Sequence, residues 1–245
     1  MNNIIDCHCH LGYGHDYQQS IAKQLKEMDY FGINKAVICP VDKFLAGENK
    51  KGNDFILKAA KKFPDKFYAF ATANPWFGKK AIKELKRSIN EGARGIKLHP
   101  SIQGFLLCDD LVYPIVEFAC EYNLPIYFHT GTPAYSQPLH VAELALRFPE
   151  AKLIMGHMGS TDYWIDAVPS AQLAANIFVD TSWSLPDKIR NAIDSLGVDR
   201  VLFGSDSPLS TYSVEIGCLN ATSLDEKEKV MIMGNNLLRL IGENS

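Results

Sequence analysis

The strongest constraint on this chain is a repeat of pattern, not of sequence. Eight times, a short apolar run with strand character is followed by a segment with helical spacing, and the strand starts recur every 24 to 32 residues. The predicted strands are the run ending in Asp6-Cys7-His8-Cys9-His10, then Lys35–Val41, Phe67–Ala73, Arg94–His99, Ile126–His129, Lys152–His157, Asn176–Thr181 and Arg200–Ser205. Between them, helices are predicted over Ser20–Phe31, Asn53–Phe63, Lys79–Asn90, Leu111–Tyr122, His140–Phe148, Thr161–Ala175 and Asp187–Leu196. A final helix opens at Ser223-Leu224-Asp225-Glu226, read as a capping box. Pro114 is tolerable only in a first helical turn, and Pro169 should kink or split its helix. Strand–helix units this close together leave no room for two domains. Eight of them predict a (β/α)₈ TIM barrel, one α/β domain over residues 1–245. An open doubly wound sheet is the alternative, and no Gly-x-Gly-x-x-Gly turn follows the first strand to support it.

Composition adds limits. With 245 residues, 47% of them hydrophobic, the chain can bury a large core without disulfides, and its six cysteines show no framework spacing. A net charge of -3 gives no reason to expect nucleic acid or an anionic membrane surface as partner. No targeting pattern or long apolar run is read, so a cytoplasmic protein is expected. The partners expected are a small-molecule substrate and, for assembly, a second copy of the chain.

Side chains on a strand alternate between faces, so His8 and His10 share a face and can hold one metal ion together. The same alternation turns Cys7 and Cys9 away, towards a helix layer, as small apolar residues. Five of the seven histidines fall at or near the carboxyl end of a predicted strand: His8, His10, His99, His129 and His157. Asp206 follows the eighth strand. In a barrel all these ends meet at one mouth, where the chemistry of the fold sits. His15 and His140 read as loop or helix residues. Trp76 and Trp183 follow the third and seventh strands and could wall a substrate pocket. Asp180 lies near the end of the seventh strand as a supporting carboxylate.

On Asp6-Cys7-His8-Cys9-His10, Gly95-Ile96-Lys97-Leu98-His99-Pro100, His129, Gly156-His157 and Gly204-Ser205-Asp206, the chain resembles the metal-dependent amidohydrolase superfamily over essentially its whole length. The nearest branch is the amidohydrolase-related group that includes aminocarboxymuconate-semialdehyde decarboxylase. The resemblance implies His8, His10, His129 and Asp206 as metal ligands. His157 is implied as a ligand of a second ion or as a group touching water or substrate. Lys97 takes the place of a lysine that bridges two ions when carboxylated, or is simply a buried lysine paired with Asp6 or Asp206. His99 is placed beside it as a substrate-binding residue. Such ligands suit Zn²⁺, one ion or two, with Mn²⁺, Fe²⁺ or Co²⁺ as alternatives.

Hydroxide on the ion, with Asp206 as base and His157 stabilising an oxyanion, predicts a hydrolase acting on a small amide, lactone or related bond. His-x-His on the first strand, where decarboxylases of this branch often have Glu-x-His, leans the same way. The alternative is a non-oxidative decarboxylase on the same site. Its substrates carry carboxylates usually held by arginine, and none of the six arginines is predicted at a strand's carboxyl end. A metal-binding protein without catalysis is the third reading.

Overall fold

In the computed structural model, which describes residues 3–243, the eight expected strands form one parallel sheet. They are β1 (Ile5–Tyr13), β2 (Lys35–Pro40), β3 (Phe67–Ala71), β4 (Gly95–Leu98), β5 (Pro125–His129), β6 (Lys152–Gly156), β7 (Ile177–Asp180) and β8 (Val201–Leu202). Each pairs with the next in parallel register, for example Asp6 with Ala36, Ile96 with Ile126 and Val179 with Val201. The two-residue strand Gln18–Gln19 folds back antiparallel on the end of β1. The β8 segment closes the ring. Cys7 N donates to Phe203 O (2.8 Å), Asp206 N to His8 O (2.8 Å) and His10 N to Ser207 O (2.7 Å). Closure removes the exposed sheet edges that an open doubly wound sheet would leave.

The helices lie outside the sheet, and the sequence explains their ends. Ser20 caps Ile21–Phe31 by accepting from Lys23 N, and Gly32 stops it in the left-handed conformation. Lys79–Asn90 forms as predicted. Pro114 sits in the first turn of Tyr113–Glu121. Pro169 does not split its helix, which runs unbroken over Trp164–Gln172. The carbonyl its ring deprives of a donor belongs to Ile165, a residue on the exposed side of the helix. The last capping box is formed by Asp225 and Glu228, not Ser223 and Glu226, because Ser223 has a φ of 56° and cannot cap. A helix over Tyr212–Ala221 was not foreseen. Its apolar residues point all round, with Val214 exposed while Tyr212 and Leu219 are buried, so no helical stripe marks it.

Two apolar layers result. The outer one packs strand residues such as Leu11, Ile38, Ile96, Phe128 and Val179 against helix residues such as Met28, Ile56, Leu85 and Val141. The inner one fills the barrel with Cys7, Val37, Phe70, Tyr127, Ile154 and Leu202, and Leu237, Leu238, Leu240 and Ile241 of the last helix pack against it. Cys7 therefore faces inward, against expectation. A bulge between Asp6 and Cys9 sets an extra residue of β1 against β2 and breaks the alternation. Cys9 alone packs in the outer layer.

Candidate metal centre

Two residues apart on β1, His8 and His10 stand side by side at the mouth. Their ring centroids are 4.6 Å apart. His8 Nε2 lies 3.1 Å, and His10 Nε2 3.5 Å, from Asp206 Oδ1. One ligand atom from each of the three residues lies within 4.8 Å of the others, and all three residues are buried. His10 Nδ1 is 2.7 Å from Pro40 O. A carbonyl only accepts, so Nδ1 carries the proton and the Nε2 lone pair is free for an ion. Burial holds His8 well below its ordinary pKa, keeping it neutral as a ligand must be. Burial alone would raise Asp206, but the imidazoles of His157, His10 and His8 hold it well below the usual carboxylate range. Two imidazoles and one carboxylate, buried and convergent, fit a divalent transition metal.

Beneath the trio the barrel interior is polar. Lys97 is fully buried, with Nζ 3.2 Å from His8 Nε2 and 4.2 Å from the centre of the Tyr127 ring. Among the described residues no carboxylate pairs with it, so the expected partnership with Asp6 or Asp206 is not found. The carboxylate of Asp6 is taken up elsewhere, by Ser205 N (2.9 Å), Ser205 Oγ (2.6 Å) and Tyr212 OH (2.8 Å). Burial draws Lys97 down to about 8 by disfavouring its charged form. His8 stacks on Tyr127 at 4.1 Å. Tyr127 OH donates a short hydrogen bond to Asp180 Oδ2. Gly156 and Gly204 make the room: an added Cβ would lie 2.4 Å from Tyr127 Cε1 at the first and 2.7 Å from Asp180 Oδ2 at the second.

The remaining predicted histidines stand beside the trio, not in it. His129 Nε2 is 3.3 Å from Thr132 O, and its ring stacks on His99 at 3.9 Å. His129 is therefore not among the three residues whose donor atoms converge. His99 caps the short helix Pro100–Gln103 through its ring. His157 is also outside the set, its ring 5.6 Å from that of His8 and 5.0 Å from that of His129. Its Nδ1 lies 2.7 Å from Ser182 Oγ. Three of the mouth residues hold φ in the left-handed region: His157 at 62°, Trp183 at 59° and Asp206 at 51°. Non-glycine residues bear that strain mainly where function has use for it.

Trp183 does more than wall a pocket. Its Nε1 donates to Asp206 Oδ2 at 2.8 Å, and its backbone N donates to Glu215 Oε2 at 3.2 Å. It lines a cavity of about 820 Å³ together with His157, Ser160, Trp164 and Lys188. Trp76 is not part of that lining. Its indole N–H reaches Gly104 O at 2.8 Å and the ring is exposed. A second cavity of about 800 Å³, lined by Lys35, Asp54, Arg94 and Glu243, holds none of the histidines. The arginines lie away from the mouth, as expected. Arg87, Arg94 and Arg190 pair with carboxylates of the outer helices and terminus, and Arg200 holds the carbonyls of Ala171, Ala174 and Ile177.

Tyr127, Ser182 and Glu215 were missed in the sequence. Tyr127 precedes His129 by two on the same strand, so strand alternation could have marked it as inward-facing. Ser182 and Glu215 carry no such signal, because their partners are 25 and 32 residues away.

The family model described as amidohydrolase matches residues 5–242. The chain is 24% identical over 283 residues to gamma-resorcylate decarboxylase of Rhizobium sp. (strain MTP-10005), covering 89% of this chain and 85% of the relative. Among solved structures it is similar to a 2,6-dihydroxybenzoate decarboxylase complexed with 2,6-dihydroxybenzoate, at a TM-score of 0.83 and 20% identity over 99% of both chains. It is also similar to a dihydroxybenzoic acid decarboxylase from Polaromonas sp. JS666 with bound manganese and 2-nitroresorcinol, at a TM-score of 0.79 and 19% identity, covering 99% of this chain and 97% of that one. These findings overturn the expectation of a hydrolase, since the relatives are named decarboxylases. The physical reason is that imidazoles and a carboxylate around an ion serve both reactions, so the ligand set alone cannot choose between them. His8, standing where decarboxylases of this branch often have glutamate, does not mark a hydrolase. From its matched length and its ordered motifs, the chain belongs to the amidohydrolase family.

Proposed function

We propose that this protein is a metal-dependent, non-oxidative decarboxylase of a small hydroxylated aromatic acid. The observation that carries the reading is the buried trio His8, His10 and Asp206, set beside a cavity walled by Trp183, in a chain whose relatives decarboxylate such acids by name. His8 Nε2, His10 Nε2 and Asp206 Oδ1 would hold the ion, with Mn²⁺ the first candidate and Zn²⁺ the second. When bound, the ion supplies the positive charge that anchors an aromatic carboxylate in a mouth without arginine.

The rest is the work of the chain's own groups. The reaction breaks the bond from ring carbon to carboxylate, releases CO₂ and puts a proton on that carbon. Asp206, a carboxylate at rest, relays the proton through Oδ2, the oxygen that also accepts from the Trp183 indole, taking it from solvent and passing it to the ring carbon as CO₂ leaves. His157 accepts a hydrogen bond from a ring hydroxyl at Nε2 and so sets the angle of the ring. Trp183 offers its face to the aromatic plane and shields the carbon from water. Lys97, buried beneath, adds positive charge on the side of the leaving carboxylate.

The test is to incubate the metal-loaded protein with 2,6-dihydroxybenzoate and other hydroxybenzoates, and in parallel with amides and lactones. Stoichiometric CO₂ and phenol from one of the acids is expected. Release of CO₂ from none of them, with turnover of a lactone or amide, would refute the assignment.

A further inference from the structure

One buried cluster at the mouth has no part in the scheme above. Asp180, at the end of β7, is fully buried and its carboxylate is crowded with donors. Oδ1 receives Ser182 N at 2.7 Å, Ser182 Oγ at 2.5 Å and His157 N at 3.3 Å, and Oδ2 receives the Tyr127 hydroxyl. Two of these donors are backbone N–H groups, which can only donate, so Oδ1 is an acceptor. The Ser182 hydroxyl has one proton. At 2.5 Å two oxygens without a proton between them would repel, so that proton lies towards Asp180. The lone pair of Ser182 Oγ is then what faces His157 Nδ1 across 2.7 Å.

We propose that Ser182, oriented by Asp180, is a positioning residue that fixes His157 as the Nδ1–H tautomer and leaves its Nε2 lone pair facing the mouth. The tautomer of a histidine is set by the bond its other nitrogen makes. The fixed direction matters for the substrate. A bare Nε2 accepts a hydrogen bond and so favours a ligand with a hydroxyl, whereas an Nε2–H would favour an acceptor. The proposal rests on the reading of the site as a decarboxylase only for that consequence, because the tautomer itself does not depend on any reaction.

The experiment uses the full chain labelled with ¹⁵N-histidine, free of metal and again loaded with Mn²⁺'s diamagnetic substitute Zn²⁺. Long-range proton–nitrogen correlation spectra report which ring nitrogen bears the proton, and the His157 signals are those that vanish in His157→Gln. The wild type should show Nδ1–H. Ser182→Ala should shift His157 towards Nε2–H, and Ser182→Thr, which restores an Oγ, should return it. Decarboxylation kcat should fall about 10- to 100-fold in Ser182→Ala and recover in part in Ser182→Thr. An Nε2–H tautomer in the wild type overturns the proposal even if neither variant folds, and so does a Ser182→Ala spectrum unchanged at His157. Should the wild type decarboxylate nothing, the functional reading fails, while the spectra still decide the tautomer.

Discussion

Replacing Trp183 with phenylalanine isolates one hydrogen bond at the reacting carboxylate. The indole N–H lies 2.8 Å from Asp206 Oδ2, and phenylalanine keeps an aromatic wall while removing that donor. A hydrogen bond to a charged group contributes about 1.5–3 kcal/mol, which would correspond to roughly 10- to 150-fold in rate. The lower end applies here, because Trp183 is 47% exposed and water can take the place of the lost donor. The expected result is a fall in kcat of about 10-fold, set by a misdirected Oδ2. Metal content should not change, since the donor atoms proposed for the ion are His8 Nε2, His10 Nε2 and Asp206 Oδ1, and none of them bonds to the indole. The midpoint of thermal unfolding should move little for the same reason of exposure. The assay is CO₂ release at saturating hydroxybenzoate, with metal analysis and a melting curve on the same preparation. An unchanged kcat would refute the role given to the indole. Loss of metal along with activity would show that Trp183 builds the ion site and does not act on the proton.

Three further outcomes follow from the geometry. Gly156→Ala forces a Cβ to within 2.4 Å of a Tyr127 ring that cannot retreat from His8 or Asp180, so overpacking of about 1–3 kcal/mol is expected, read as a fall of roughly 2–12 °C in melting temperature; an unshifted melt would show that the ring has room. The double variant His8→Ala/His10→Ala should lose bound metal by elemental analysis, while chelation of the parent should leave the helical circular dichroism intact, because the core does not depend on the ion; unfolding on chelation would make the site structural. Burial raises Glu215 from 4.5 to about 7, so its contribution to stability is complete below 4.5 and is lost as pH rises through about 7; Glu215→Gln should flatten that loss in denaturant titrations between pH 5 and 8, and parallel curves for the two proteins would contradict it.

The barrel was legible in the sequence because its evidence is local. Apolar runs such as Ile126–His129, separated by amphipathic helices such as Lys79–Asn90, report their own periodicity, and eight such units admit few topologies. The convergence of His8, His10 and Asp206 followed from topology alone, since each ends a strand at the same rim. What failed was alternation at a single point. The β1 bulge is a property of two paired strands, and no residue of the Cys7-His8-Cys9 stretch announces it, so Cys7 was assigned to the wrong face. The same holds for His129: its place at the mouth is a matter of strand position, but whether its ring turns to Asp206 or to Thr132 is decided by side-chain torsions and a neighbouring loop carbonyl. Ser182 and Glu215 act on residues brought close only by folding, and a hydroxyl or carboxylate has no sequence pattern that names its partner. The order of elements and the rim on which the chemistry lies were determined by the sequence through short-range periodicity. Which nitrogens and oxygens face one another was decided by the tertiary structure, because hydrogen bonds depend on distances of tenths of an ångström that only the closed barrel sets.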